Sequence, residues 1–184
     1  MAERFRLLAT EAGYDLLPSQ PLPWLTTRGH VAVAAHLPTD VHSALQAIFE
    51  LLDGDEAALA AKPQRSVAPD FLLEGRIVEF DEDQHFTIQR LATFALYPAD
   101  AQLAFERSVY AKACLATAKR AERAFAHKTA TEFPGPYGRA RQRAYFDAVR
   151  DLLSPVLGSG PVVRVLAPER DPVLALDRFR QVLA

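Results

Sequence analysis

Three carboxylates and a histidine lie within one short stretch of this 184-residue chain. Asp70 falls on a predicted strand, and Glu79 and Asp81 on the next, with His85 four residues after Asp81. Because side chains alternate along a strand, Glu79 and Asp81 would share one face and Phe80 would point to the other. A hairpin that gathers these groups is suited to bind a divalent metal and an activated water.

An exposed edge strand with solvated carboxylates is the alternative interpretation of the same pattern. Two features favour a site. Ile77 and Val78 are consecutive apolar residues, which predicts a strand covered on both faces. Four acidic residues fall within the five positions 79–83, and like charges packed so closely repel one another unless a cation or a basic ligand offsets them.

The segment around this hairpin resembles the PD-(D/E)xK nuclease superfamily, and within it the very-short-patch-repair-like endonuclease group. The residues that carry the resemblance are Pro69-Asp70-Phe71, a turn at Glu74-Gly75, Ile77-Val78-Glu79-Phe80-Asp81, and Gln84-His85. The resemblance spans residues 39–98 well and the rest loosely. It implies an α/β fold with a restriction-endonuclease-like core, in which a central mixed sheet is flanked by helices. The implied order is helix, three-stranded meander, helix and a further strand.

Two positions depart from the pattern of the superfamily. Asp81 stands where a lysine is usual two residues after the acid, although the repair-like group also lacks that lysine. Glu82 replaces the glycine that usually follows. Both departures bear on catalytic activity more than on the fold.

The resemblance implies a metal-dependent nuclease that hydrolyses phosphodiester bonds, with DNA as the expected nucleic acid. Asp70 and Glu79 would hold Mg²⁺ or Mn²⁺, since hard oxygen ligands suit these ions. Asp81 would bind a second metal or orient water, and Gln84 would position the water or the phosphate. His85 would take or give a proton, because its unperturbed pKa of about 6.5 suits neutral pH.

A predicted helix from Thr39 to Leu52 precedes the hairpin, as the first helix does in the resembled fold. That fold often places an acid from this helix near the metal. Glu50 is the best match by position, with Asp53 second. A surface acid near a helix end is the alternative.

The charge is distributed unevenly along the chain, although the net charge is only −2. Residues 1–99 hold 7 basic and 14 acidic side chains, whereas residues 107–150 hold 10 basic and 3 acidic. A basic segment beside an acidic, metal-like cluster suits a polyanionic substrate such as nucleic acid. A solvated helical face whose charges pair with the acidic half would give the same composition.

Four arginines are candidate nucleic-acid-binding residues. Arg139 and Arg143 lie on one face of a predicted helix, and Arg141 is rotated from Arg139 by about 200°. These three would grip backbone phosphates from both sides of a groove, or else pair with Asp147 and Glu132. Arg90, near the start of a helix predicted to open at Thr87, would face the acidic site or a phosphate, or else lie on the surface.

The length of the chain predicts a single domain over residues 1–184. Within it we distinguish a motif-bearing core at 39–98, a helical basic segment at 99–158 and a final strand and helix at 159–184. Residues 99–127 are predicted to form one long helix, because alanine is abundant there.

Composition excludes several classes of protein. The apolar fraction of 49% argues against disorder, and one cysteine excludes an internal disulfide. No apolar run approaches the roughly 18 residues of a membrane helix. We therefore expect a cytoplasmic protein without membrane contact. A non-catalytic module that binds nucleic acid or protein through the same fold is the alternative to a nuclease.

Overall fold

The structure, a computed structural model, describes residues 1–18 and 20–183. The helices are α1 (Ala2–Glu11), α2 (Thr39–Leu51), α3 (Glu56–Ala61), α4 (Ile88–Thr93), α5 (Arg107–Phe125), α6 (Gly138–Val156) and α7 (Pro172–Leu183). The strands are β1 (Leu17–Pro18), β2 (Leu22–Thr26), β3 (Ser66–Val67), β4 (Phe71–Leu73), β5 (Arg76–Asp81) and β6 (Val163–Leu166). Short 3₁₀ helices cover Gly29–His36, Asp83–His85 and Phe94–Leu96.

Four strands form a mixed central sheet in the order β1-β4-β5-β6. The pairs β1/β4 and β4/β5 are antiparallel, and β5 and β6 are parallel, which places Glu79 beside Arg164. Strands β2 and β3 pair separately. The predicted α/β class, with a mixed sheet flanked by helices, is therefore confirmed.

Strand β5 is covered on both faces, as its consecutive apolar residues predicted. Ile77 and Val78 are fully buried. On one face Phe80 contacts Phe5 of α1, with ring centres 5.1 Å apart. Phe5 in turn meets Phe179 of α7, so these two helices close that face with an apolar core. The opposite face carries charged side chains towards α6.

Local sequence signals set the starts of several helices. Thr87 accepts a hydrogen bond from the Arg90 backbone N–H at the start of α4, as predicted. Asp55 does the same for α3 through the N–H of Ala58. Asp171 caps the first turn of α7.

The prediction of one long helix over residues 99–127 is wrong, because α5 begins only at Arg107. The segment before α5, residues 99–106, contacts separate clusters of buried apolar side chains. Leu103 packs against the core of α2 and α6, whereas Phe105 packs on Tyr110, with ring centres 5.4 Å apart. These tertiary contacts outweigh the local helix propensity. Of the helices that the structure describes, none is long and apolar enough to cross a membrane.

Candidate functional site

A cleft of about 500 Å³ opens between the end of β5 and one face of α6. It brings together most of the residues that the sequence singled out. The predicted site residues that line it are Asp70, Glu79, Gln84, His85, Arg139 and Arg143. The acidic hairpin and the basic segment therefore share one surface, although they are far apart in the chain.

Asp70 is fixed to the neighbouring strand by its own side chain. Its Oδ2 accepts a hydrogen bond of 2.9 Å from the backbone N–H of Phe80. Burial raises the pKa of Asp70, an effect that this hydrogen bond and the nearby His85 partly offset. The carboxyl group is thus held in place beside β5 at the edge of the cleft.

Glu79 is the most deeply buried acid in the cleft wall apart from Asp147, with 3% of its surface exposed. Burial raises its pKa from 4.5 to about 7, although Arg150 lowers it. The Arg150 Nε lies 2.9 Å from Glu79 Oε1. Within the part of the chain that the structure describes, neither atom makes an aligned hydrogen bond. A carboxylate this buried is costly to ionise unless a cation compensates it.

His85 connects the turn after β5 to α6. Its Nδ1 lies 2.9 Å from Asp147 Oδ2 and 3.2 Å from Asp81 Oδ1, and its Nε2 lies 3.2 Å from Arg143 Nη1. Burial alone would lower the pKa of His85, but the carboxylates of Asp147 and Asp81 outweigh it and raise the pKa. The ring lies between these carboxylates and the cleft, where an imidazole can take or give a proton.

Asp81 does not serve the cleft, contrary to its predicted role as a water-orienting or metal-binding acid. It is fully buried. Its carboxylate takes hydrogen bonds from Arg164 Nη1 at 2.9 Å and 3.0 Å, and from the Tyr110 hydroxyl at 2.9 Å. These contacts occupy both oxygens, so Asp81 acts as an internal counter-ion.

Arg90 is not available to nucleic acid, and its predicted role as a phosphate-binding residue is wrong. The side chain is completely buried and pairs with Asp151. Its guanidinium also hydrogen-bonds the Tyr97 hydroxyl at 2.6 Å and lies 4.4 Å from the ring centre of Phe94. Asp151 also binds Arg164, so Arg90 belongs to the same internal network as Asp81.

Two further predicted residues lie away from the cleft. Arg141 binds Asp53 at 3.0 Å and the carbonyl of Pro136 at 2.6 Å, at the end of α2 rather than in the cleft. Glu50 is exposed on α2 and accepts a hydrogen bond from Gln46. Neither residue lines the cleft, so Glu50 supplies no acid to the site.

The cleft is also lined by residues outside the predicted site, among them the charged residues Lys62, Asp147 and Arg150. Asp147 and Arg150 follow Arg143 at intervals of four and three positions, which places them on one helical face. That spacing was a usable signal. Lys62 lies in the connection after α3 and pairs with Glu132, and no pattern around it indicated this position.

The acids of the cleft offer hard oxygen ligands, but few of them. Among the described residues, no group of three or more His, Cys, Asp or Glu side chains converges to hold a metal ion. Mg²⁺ commonly keeps several waters and uses one or two carboxylates together with substrate phosphates. Asp70 and Glu79 supply that smaller number of carboxylates, and Oε1 of Glu79, although it lies 2.9 Å from Arg150 Nε, accepts no aligned hydrogen bond from the described residues.

No protein-family model, no curated protein and no solved structure matches this chain. What can be said of its function therefore depends on its own residues and their geometry.

Proposed function

We propose that the protein is a metal-dependent nuclease that hydrolyses phosphodiester bonds, with DNA as the first expected substrate. One observation carries the proposal. A single cleft holds the carboxylates of Asp70 and Glu79 and the imidazole of His85 against a wall of basic side chains. The basic side chains are Lys62, Arg139, Arg143 and Arg150. Phosphodiester hydrolysis needs both the basic side chains and the acid–base groups. The basic side chains hold the polyanion, while the carboxylates and the histidine act on the reacting phosphate.

The order of elements supports a restriction-endonuclease-like fold as part of this proposal. Helix α1 precedes an antiparallel run of β1, β4 and β5, and helices then lead to the parallel strand β6. The hairpin β4/β5, the helices after it and the parallel strand β6 fit the later part of the order that the resemblance implies, whereas β1 has only two residues and is separated from β4 by α2, α3 and the β2/β3 pair. Helix α2 precedes the hairpin, as expected, but Glu50 near its end lies outside the cleft.

Asp70 and Glu79 would hold Mg²⁺ or Mn²⁺ in this site. Burial already raises the pKa of both carboxyl groups. A cation beside them would offset the cost of their charges. The chemistry such an ion supplies when bound is a more acidic water and partial neutralisation of the phosphate.

His85 is the proposed acid–base group. Asp147 orients the ring through Nδ1, which leaves Nε2 towards Arg143 on the cleft side. Because a guanidinium only donates, Nε2 accepts a hydrogen bond from Arg143 Nη1 and carries a lone pair. With that lone pair Nε2 can take a proton from water, and it can give the proton to the leaving oxygen afterwards. Gln84, which also lines the cleft, can hydrogen-bond the water or a phosphate oxygen.

The direct test is to incubate the protein with plasmid, linear and single-stranded DNA and with RNA. Each substrate is tested with Mg²⁺, with Mn²⁺ and with chelator. We expect cleavage of at least one substrate that depends on the ion. A parallel measurement follows the melting temperature, which either ion should raise in the parent protein but not in Asp70→Asn, because a ligand of the folded state stabilises it.

A non-catalytic nucleic-acid-binding module is the second candidate. The observation that favours it is the ion pair of Arg150 with Glu79, which places a built-in cation beside the proposed metal ligand. The engagement of Asp81 by Arg164 points the same way, since it removes a third acid from the cleft. Binding without cleavage across the whole substrate panel would select this candidate.

A further inference from the structure

Arg150 and Glu79 form an incomplete ion pair at the base of the cleft. The Nε and Oε1 atoms are 2.9 Å apart, yet they are not aligned for a hydrogen bond. The other described contacts of the guanidinium are a hydrogen bond from Nη1 to the carbonyl of Phe146 at 3.1 Å and an approach of 3.8 Å to Asp147. A buried pair with such geometry recovers only part of the energy lost when its charges leave water.

The other basic side chains of the cleft each make an aligned hydrogen bond to another side chain. Lys62 binds Glu132, Arg139 binds Gln142, and Arg143 binds His85. Among the described residues, Arg150 has no two-pronged contact of the kind that a guanidinium makes with a carboxylate or a phosphate. Its side chain lines the cleft and is 14% exposed, so a ligand that enters can reach it.

We propose that Arg150 is the phosphate-binding residue at the base of the cleft, and that Glu79 holds it in the unliganded protein. A phosphate that enters would take over the guanidinium by a two-pronged contact. Glu79 would then lose its internal partner and become free to bind a cation or a proton. This inference rests on the proposed function, because it assigns the substrate phosphate to that same site.

The pairing predicts a specific coupling between the two residues. In Glu79→Gln the arginine is released, so a phosphate ligand should bind more tightly. In Arg150→Gln the ligand should bind more weakly, and adding Glu79→Gln to that variant should bring little gain. A charge-assisted contact is worth about 1.5–3 kcal/mol, which corresponds to a change in affinity of roughly tenfold or more.

The experiment is a double-mutant cycle with chelator present throughout, so that no metal contributes. Binding of a labelled single-stranded oligonucleotide is measured by fluorescence anisotropy, and binding of inorganic pyrophosphate by calorimetry. The proteins are the parent, Glu79→Gln, Arg150→Gln and the double variant. Arg141→Gln is the matched control, because Arg141 lies on the same helix but outside the cleft.

Glu79→Gln should raise the affinity for the phosphate ligand in the parent protein. In the Arg150→Gln background, where the guanidinium is absent, we expect the same substitution to raise it less, by a factor of at least about three. Equal gains in both backgrounds would overturn the inference and leave the proposed function standing. Coupled binding of pyrophosphate without oligonucleotide binding would keep the inference and remove the proposed function. No binding of either ligand by the parent would overturn both.

Circular dichroism and the melting temperature of each variant show whether it folds. If Arg150→Gln does not fold, Arg150→Lys takes its place in the cycle. Lysine keeps the charge but loses the planar fork. The gain from Glu79→Gln should then be smaller than in the parent background, and an undiminished gain would count against a two-pronged contact by Arg150.

Discussion

The Nδ1 atom of His85 lies 2.9 Å from Oδ2 of Asp147, and this contact joins the turn after β5 to the middle of α6. It fixes the ring so that Nε2 meets Arg143 at the cleft. A carboxylate behind a histidine raises the pKa of the imidazole and selects the tautomer. We therefore propose that Asp147 positions His85 for its acid–base role.

Asp147→Asn should lower the pKa of His85, because the carboxylate that opposes the effect of burial is lost. The part of the pH–rate profile in which the cleavage rate changes with the ionisation of His85 should shift to lower pH. In His85→Ala that change of rate with pH should disappear. We expect His85→Ala to slow cleavage by roughly 10²- to 10⁴-fold. Single-turnover cleavage across a pH series measures both effects, and an unshifted profile in Asp147→Asn would contradict this pairing.

Glu79 should make the stability of the protein depend on pH. Burial raises its pKa from 4.5 to about 7, so the folded state favours the neutral form. The stability that the neutral group contributes is complete below the unfolded value of 4.5 and is lost as the pH rises through about 7. Glu79→Gln stays neutral and should not show this loss.

The expected difference is about 3 kcal/mol in the free energy of unfolding, at about 1.36 kcal/mol for each pKa unit. Urea unfolding at about pH 5 and about pH 8, with chelator present, compares the parent with Glu79→Gln. His85, whose pKa is also raised, contributes to both proteins alike. Parallel pH dependences in the two proteins would show that Glu79 ionises normally in the fold.

Arg164→Leu should destabilise the fold strongly. Arg164 is fully buried and pairs with Asp81 and Asp151, so its loss leaves Asp81 buried without its arginine and leaves Asp151 with Arg90 as its remaining arginine partner. Removing one side of a buried pair costs about 3–5 kcal/mol. Urea unfolding measures the loss, and a change below about 1 kcal/mol would contradict the structural role of the network.

Arg180→Leu is the matched control for Arg164→Leu. Arg180 pairs with Asp177 on the surface of α7, where the two side chains are 49% and 57% exposed. Such exposed pairs contribute about 0–1 kcal/mol. Comparing the two leucine variants shows how much of the loss in unfolding free energy is due to breaking a buried ion pair and how much to removing an arginine.

Arg139→Ala and Arg143→Ala should each weaken nucleic-acid binding, whereas Arg141→Ala should leave it nearly unchanged. The first two residues line the cleft, and Arg141 is held by Asp53 outside it. Each lost phosphate contact should reduce the slope of log affinity against log salt by about 0.7–0.9. Fluorescence anisotropy over a salt series measures the slopes, and equal effects of all three variants would place the binding surface elsewhere.

The parts of the fold that the sequence predicted correctly have local signals. Thr87 caps α4 and Ile77-Val78 lie in a strand buried on both faces. The partner of Asp81 could not be predicted in this way, because Arg164 lies 83 residues further along the chain. Without that partner, Asp81 looked like a free acid of the site.

The arginines illustrate the same limit. The spacing of Arg139 and Arg143 placed them together on one helical face, and both line the cleft. Arg90 carries the same charge at the start of a helix, but Asp151 and a ring of aromatic side chains enclose it. Whether a charged side chain faces a core or a cleft depends on packing between distant elements, which a local pattern does not contain.

Cleavage of labelled DNA by the parent and by Glu79→Gln, with Mg²⁺ or Mn²⁺ at equal protein concentration, tests the central claim most directly. Glu50→Gln is the control, since Glu50 is an exposed acid outside the cleft. We expect the parent and Glu50→Gln to cut the DNA, and Glu79→Gln to bind it without cutting. Equal cleavage by the parent and Glu79→Gln, or binding by the parent without cleavage of any substrate, would contradict a nuclease site in this cleft.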